Sequence, residues 1–482
     1  MTTLLDSRSF LRWCWRQLTS MRTALILLLL LGIAAIPGSL FPQRTQNPLQ
    51  VKQYFIDNPR LAPWLDRFSF FEVYSSPWFS AVYLLLFISL IGCVLPRSIE
   101  HAKAIGAKPP LTPKYLDRLD HFTEIKKIDL DLAEKYLKSK GFRIRRETNS
   151  ISAEKGYARE SGNLLFHLSL VLVLIGVGIG SLLGSRGDAI LNVGDRFINT
   201  PTSYDILGFG KFQAEDSLSP FSITVKDFQA QYDSVTNAPI DYTLTVSTAN
   251  PVGSAEDIKI IKVNKPLGYG NTKIYLQATG YSPSVIIKDK QGKVVFEGPT
   301  PFLPQDSNLS SIGAIKVPDM DPQIGFVGSF LPTADRDPVR GGFSSYPEVL
   351  DPRLLFSIWK GDLGLDSGVP QSVYRIDTSK MERIGLKALV LNESFDFGEG
   401  SITFTGWNSW VNLQIVSDPG KIYSLVGAIL AISGLLISLF TRQRRIWVKQ
   451  GRKTQIAGLS KNEIPGLDEE IKDLVKELTG ER

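Results

Sequence analysis

The sequence predicts a polytopic α-helical membrane protein with four transmembrane helices, a large all-β domain on one side and a small α/β insert on the other. Three observations predict it. Four apolar runs are long enough, or nearly long enough, to cross a bilayer. Basic residues collect in alternate connections between those runs. The longest connection, residues 184–421, repeatedly alternates apolar and polar residues.

The runs are Thr23–Phe41, Trp78–Leu95, Leu164–Leu183 and Tyr423–Phe440. None contains Asp, Glu, Lys or Arg. Among 482 residues, 43% are hydrophobic and 21% charged, a mixture that suits spans joined to water-exposed domains. Arg8, Arg12, Arg16 and Arg22 precede the first run, and Ala34, Ala35 and Gly38 lie near its end, as in a cleaved signal peptide. The long leader and near-full span length favour a retained helix.

Charge sets the expected topology. Residues 97–159 hold fifteen Lys and Arg, and the tail opens with Arg442, Arg444, Arg445, Lys449, Arg452 and Lys453. The loop 43–77 has only Arg44, Lys52, Arg60 and Arg67. Counting positive charges inside gives a cytoplasmic N-terminus (1–22), span (23–41), outer loop (42–77), span (78–95) and cytoplasmic α/β insert (96–162). A third span (163–183), an outer β-rich domain (184–421), a fourth span (422–440) and a cytoplasmic tail (441–482) follow. The net charge of +6 is then topological. It faces membrane lipid and calls for no nucleic acid.

In the insert, HFTEIKKI reads as extended, DLDLAEKYLKSKGF as a helix stopping at Gly141, and FRIRRE with SISAEK as a hairpin around Asn149. In the outer domain, FSITVKDFQ, DYTLTVST, IKIIKVN, TKIYLQATGY, SVIIKDK, KVVFEG, RLLFSIW and SITFTGW read as antiparallel strands of a sandwich or open barrel. Asn237, Pro239, Gly270, Gly292, Pro338 and Gly368 mark turns. Pro301–Tyr346, rich in Pro, Gly, Ser and Asp, reads as a long surface loop or insertion.

The two cysteines, Cys14 and Cys93, form no CxxC pair, and both fall at the cytoplasmic side. Cys93 reads as a small packing residue. The outer domain has neither cysteine nor histidine. It therefore carries no disulfide, thiol redox chemistry, imidazole ligation or Ser-His catalysis. No phosphate-binding or dinucleotide fingerprint appears. A transporter would show inverted repeats and interrupted spans, and neither is visible.

The three histidines are His101, His121 and His167. The first two read as solvated residues of the basic insert. His167 lies inside the third run, where ionisable residues usually face a protein interior and mark a ligand or ion path. It is a packing residue, a proton relay, a metal ligand or an axial ligand to heme iron. As an axial ligand, one imidazole fills one position, and a second must come from elsewhere.

Several dispersed motifs resemble the ResB/CcsB family of system II cytochrome c biogenesis proteins, cyanobacterial and chloroplast type. Leu18–Gln43 resembles the family's first span with its closing Gly-x-x-x-Pro-Gln. Ser76–Arg97 is similar to the second, with its Trp-Phe entry and Cys-x-x-Pro-Arg exit. LLFHLSLVLVLIG resembles the third and carries the family's membrane histidine. VNKPLGYGNTKIYLQ resembles the Asn-x-Pro-Leu…Tyr-Gln segment, with Leu276 between Tyr275 and Gln277, and VSDPGKIYSLVG resembles the Asp-Pro-Gly entry to the last span.

The resemblance implies a role in covalent attachment of heme to apocytochromes c, among them cytochrome f and soluble c-type cytochromes. It implies a CcsA-like membrane partner, heme b held transiently between the two, and His167 as one axial ligand to its iron. This chain would be a non-catalytic or co-catalytic subunit of the lyase. It further implies a thylakoid location with the β-rich domain in the lumen. Trp407 and Trp410 in GWNSW do not make the partner's tryptophan-rich motif. The alternative is a four-span scaffold with an outer β-domain and no heme ligation. Asp418, Pro419 and Gly420 read as the turn into the last span, with Asp418 capping the helix.

Overall fold

The computed structural model describes residues 7–44, 48–337, 341–365, 374–460 and 466–480. Pro338 and Gly368, two expected turn residues, lie outside them. The described residues include helices α1 (Ser7–Leu18), α2 (Met21–Leu40), α3 (Pro48–Asp57), α4 (Ala62–Arg67), α5 (Pro77–Ile105), α6 (Leu130–Ser139), α7 (Ala158–Leu183), α8 (Lys421–Phe440) and α9 (Leu467–Thr479). The chain divides into two compact units, residues 1–177 with 421–482, and residues 178–420.

Helices α2, α5, α7 and α8 are long and apolar enough to cross a membrane. Their leucines face outward, as Leu29 (65% exposed) and Leu40 (72%) show, which suits a lipid solvent. Ser20 caps α2 by accepting from the Thr23 amide, and Ser76 caps α5 by accepting from the Phe79 amide, with Pro77 in the first turn. Helix α5 continues ten residues past the expected span end at Leu95. Pro96 lies within it, and RSIEHAKAI extends the helix.

Helices α7 and α8 pack through small residues. A Cβ on Gly162 would lie 2.7 Å from the Gly434 carbonyl oxygen, and one on Gly434 would lie 2.6 Å from the Phe166 nitrogen. Gly427 similarly meets Ser169 and Val173. Backbones approach this closely only where side chains are absent, the usual solution for helices in lipid.

The same unit holds an α/β domain. Its antiparallel sheet runs in the order His121–Ile125, Thr454–Ser460, Arg444–Gln450, Ser150–Lys155, Arg143–Arg146. Leu137, Ile151, Ile446, Val448, Ile456, Ile471 and Leu474 form a core with α6 and α9. Trp447, Ala457 and Leu116 form a second, smaller cluster. The insert and the tail, kept apart in the sequence reading, thus share one sheet. The tail's basic residues masked the alternation of Ile446 and Val448. Buried Glu154 fixes the seam: it accepts from Gln443 Nε2 at 2.8 Å and from Arg445 Nε at 3.0 Å.

The second unit is β-rich. Two strands of 18 residues, Thr272–Asp289 and Gly400–Ser417, pair antiparallel along their length as its spine. Their Ile274, Val411 and Leu413 pack in one core with Phe221, Ile223 and Val246 of a four-stranded sheet. Their Val285, Ile287, Ile402 and Phe404 pack in another with Phe326, Phe330 and Phe356 of a five-stranded sheet. The expected antiparallel sandwich is therefore doubled on a shared spine.

Pro301–Tyr346 is not a surface loop. Ser311–Val317 and Ile324–Leu331 are inner strands of the five-stranded sheet, with Ile315, Phe326 and Phe330 buried. Its glycines serve close packing: a Cβ on Gly313 would lie 2.3 Å from the Phe302 ring, and one on Gly328 would overlap the Leu355 carbonyl. Composition alone hid strands that need small residues.

Two outcomes follow from this packing. Gly434→Leu forces α7 and α8 apart and costs about 1–3 kcal/mol or more. Thermal unfolding in detergent checks it, and an unchanged midpoint would contradict the packing. Glu399 accepts from Lys290 at 2.6 Å and Lys360 at 2.5 Å, which holds its carboxyl down at about 2 against an ordinary 4.5. A depressed carboxyl stabilises the fold above its unfolded value and loses that contribution as pH falls toward the folded one. Hydrogen-exchange protection in strands Arg353–Lys360 and Gly400–Ser417, corrected for the intrinsic pH dependence of exchange, should therefore fall between about pH 4.5 and 2, and less so in Glu399→Gln. Equal acid slopes would refute the assignment.

Candidate functional site

His167 lies in α7, between Phe166, whose ring meets the imidazole edge to face at 5.1 Å, and Leu168. Its Nδ1 is 2.8 Å from the Asn163 carbonyl oxygen, one turn earlier. A carbonyl only accepts, so Nδ1 carries the proton in this bond. The Nε2 lone pair is then available, the arrangement second-shell bonds impose on metal-binding imidazoles. Nε2 has no hydrogen-bond partner among the described residues. No group of three or more His, Cys, Asp or Glu that could hold a metal ion occurs among the described residues. A metal at His167 would therefore bind as part of a larger ligand.

The other two histidines are not simply solvated. The extension of α5 brings His101 to α7, where its Nε2 pairs with Ser161 Oγ at 2.8 Å and its side chain is 10% exposed. Its ring stacks on Tyr157 at 5.4 Å, and the Arg143 guanidinium lies 4.4 Å from the same tyrosine ring. His121 Nδ1 is 2.6 Å from Asp468 of α9. His101 was missed because the apolar run ends at Leu95 and Pro96 follows it. The only available signal was the helix-forming stretch beyond.

A cleft of 510 Å³ opens beside His101. Arg97, Arg159, Asn163 and Ser438 line it, so α5, α7 and α8 all contribute. Asn163 belongs both to this cleft and to the His167 hydrogen bond. No pattern in the sequence joined these residues.

Most of the remaining motif residues hold backbone. Buried Gln43 donates to the Phe41 and Phe70 carbonyls and accepts from the Val73 amide, each at 3.0 Å, closing the turn after α2. Asn264 takes a left-handed φ of 63°, which asparagine tolerates. Gln277 stands exposed at a bulge in the spine, between Leu276 and Ala278. Trp410 is buried and donates to the Phe302 and Tyr281 carbonyls, while Trp407 is 39% exposed. Asp418 accepts from the Gly420 amide at 2.9 Å, just before α8. Cys93 packs against the α1–α2 junction, where its thiol meets the Thr19 carbonyl.

The described titratable residues of the β-rich unit are held in structural contacts. Burial pushes the Tyr204, Tyr232, Tyr281 and Tyr374 hydroxyls up, which keeps them protonated near neutrality. Burial also raises Asp205, against the bonds it accepts from the Ile190 amide and the Tyr374 hydroxyl. These contacts brace strands rather than frame a nucleophile.

Fold and sequence define an integral membrane protein with a histidine, His167, within one of its apolar helices. The chain belongs to the ResB-like family, whose sequence profile matches residues 21–472. It is 28% identical over 272 residues to the cytochrome c biogenesis protein CcsB of a Synechococcus species, covering 54% of this chain and 58% of that protein. It is 25% identical over 476 residues to the protein of the same name from Prochlorococcus marinus, covering 95% and 96%. The cytochrome c biogenesis protein Ccs1 of Pyropia yezoensis is 27% identical over 280 residues, covering 56% and 61%. The chain thus spans less than two thirds of the Synechococcus and Pyropia relatives it matches, and nearly all of the Prochlorococcus one.

Proposed function

We propose that this chain acts in the biogenesis of c-type cytochromes, at the step that delivers heme for covalent attachment. The observation that carries the proposal is the His167 hydrogen bond: Nδ1 donates to Asn163, leaving Nε2 as a donor atom toward iron. The names of the relatives support the biological process.

His167 would hold the iron of a heme through Nε2, with a CcsA-like membrane partner supplying a further ligand. When bound, heme offers vinyl groups to the reduced thiols of an apocytochrome's CxxCH segment. The residues of this chain orient the imidazole, exclude water along α7 and brace the partner. The β-rich unit, lacking histidine and cysteine, positions the apocytochrome or the partner. The membrane is a thylakoid membrane, with the β-rich unit in the lumen and the basic α/β domain in the cytoplasm. The cluster of Arg143, Arg145, Arg146, Arg444, Arg445 and Lys449 in that domain supports this orientation.

The test is the heme spectrum of the chain purified with its partner, for wild type and His167→Ala. Loss of the six-coordinate spectrum in the variant, with partial recovery on adding imidazole, is expected. An unchanged spectrum at normal occupancy would remove His167 from the site and leave the chain a four-span scaffold.

A further inference from the structure

The cleft beside His101 has a composition that the iron ligand alone does not explain. Arg97 and Arg159 both line it. Among the described residues neither arginine makes an ion pair, although Glu100 and Glu160 line the same cleft. Glu160 instead faces the His101 ring at 3.8 Å. Arg159 is half-buried and Arg97 exposed. A guanidinium fork matches a carboxylate with two parallel hydrogen bonds.

Position adds a second constraint. Ala104 and Leu164 are the apolar members of the cleft lining, and Asn163 in the same lining accepts the His167 hydrogen bond. Residues three and four apart share a helix face, so His167 stands directly above Leu164 and Asn163. One turn of helix rises about 5.4 Å. An amphipathic ligand whose centre lies beside His167 would therefore reach the cleft with groups at its polar edge.

We propose that Arg97 and Arg159 form a carboxylate clamp for the two acidic side arms of the heme whose iron His167 ligates. This rests on the heme reading above and assigns the orientation of the ligand within it, with the carboxylates toward the α/β domain and the vinyl edge away from it. His101 is a positioning residue: its bond to Ser161 and its stack on Tyr157 hold α5 and α7 at the spacing the clamp needs. Glu100 and Glu160 lie close enough to disfavour an anion bound loosely, so the clamp selects a ligand anchored elsewhere.

The experiment uses the full chain purified with its membrane partner in nanodiscs, titrated with hemin and with hemin dimethyl ester, which keeps the iron and lacks the free carboxylates. Wild type should bind hemin about tenfold or more tightly than the ester, as charge-assisted pairs allow. Arg97→Gln with Arg159→Gln should lower hemin affinity to that of the ester. Ester affinity should stay unchanged, which also shows that the variant is folded, and the lysine pair should recover part of the preference. Equal affinities in wild type, or an unchanged preference in the glutamine pair, would overturn the clamp. Loss of co-purified anionic lipid from that pair, with the preference intact, would overturn it too and make the cleft a lipid headgroup site. His167→Ala separates the two readings: its iron spectrum fails if the ligation proposal is right, whatever the arginines do. A wild-type chain that takes up no hemin would overturn both.

Discussion

The backbone contact of α7 with α8 is the constraint on which the first unit depends. Gly162, Gly427 and Gly434 let the two helices approach without side chains between them. Immediately beyond that contact, strands Ser150–Lys155 and Arg444–Gln450 pair, and Glu154 takes bonds from Gln443 and Arg445. The helices set the distance, and the buried carboxylate penalises any other register, because an unpaired charge there would be costly. His167 sits on the helix that this contact fixes. So do Arg159 and Asn163 of the cleft.

The spans were legible because charge is excluded from them without exception, and the strands of the β-rich unit because period two is enforced by burial on one face. The bulges in the spine strand Thr272–Asp289 could not be read, since they depend on its partner Gly400–Ser417. Pro301–Tyr346 was misread for a physical reason. Gly313 and Gly328 are small because Phe302 and the Leu355 backbone press on them, not because the chain turns there. The tail was not read as strand because Arg444, Arg445 and Lys449 flank the buried Ile446, Trp447 and Val448, and charge was weighed before pattern. His167 stood out as the one histidine in an apolar run. Its neighbours His101, Arg97 and Arg159 did not, because helix α5 carries two of them beyond the apolar stretch that defined the span.

Chemistry is unevenly distributed over the molecule. The β-rich unit spends its polar groups on structure: Trp410 on two carbonyls, Asp205 on an amide and a hydroxyl, Glu399 on two lysines. The groups suited to recognition, arginines without ion pairs and an imidazole with one nitrogen spare among the described residues, gather where α5 and α7 meet the α/β domain.

The shared sheet has a consequence for synthesis. Gln443 and Glu154 are 289 positions apart, and the β-rich unit is made between them. At about 5–20 residues per second, strand Ser150–Lys155 waits tens of seconds with an open edge. Only a chain translated through Gln450 can cover that edge. Until Arg444–Gln450 is made, an arrested chain keeps that strand edge unpaired, open to any other extended segment.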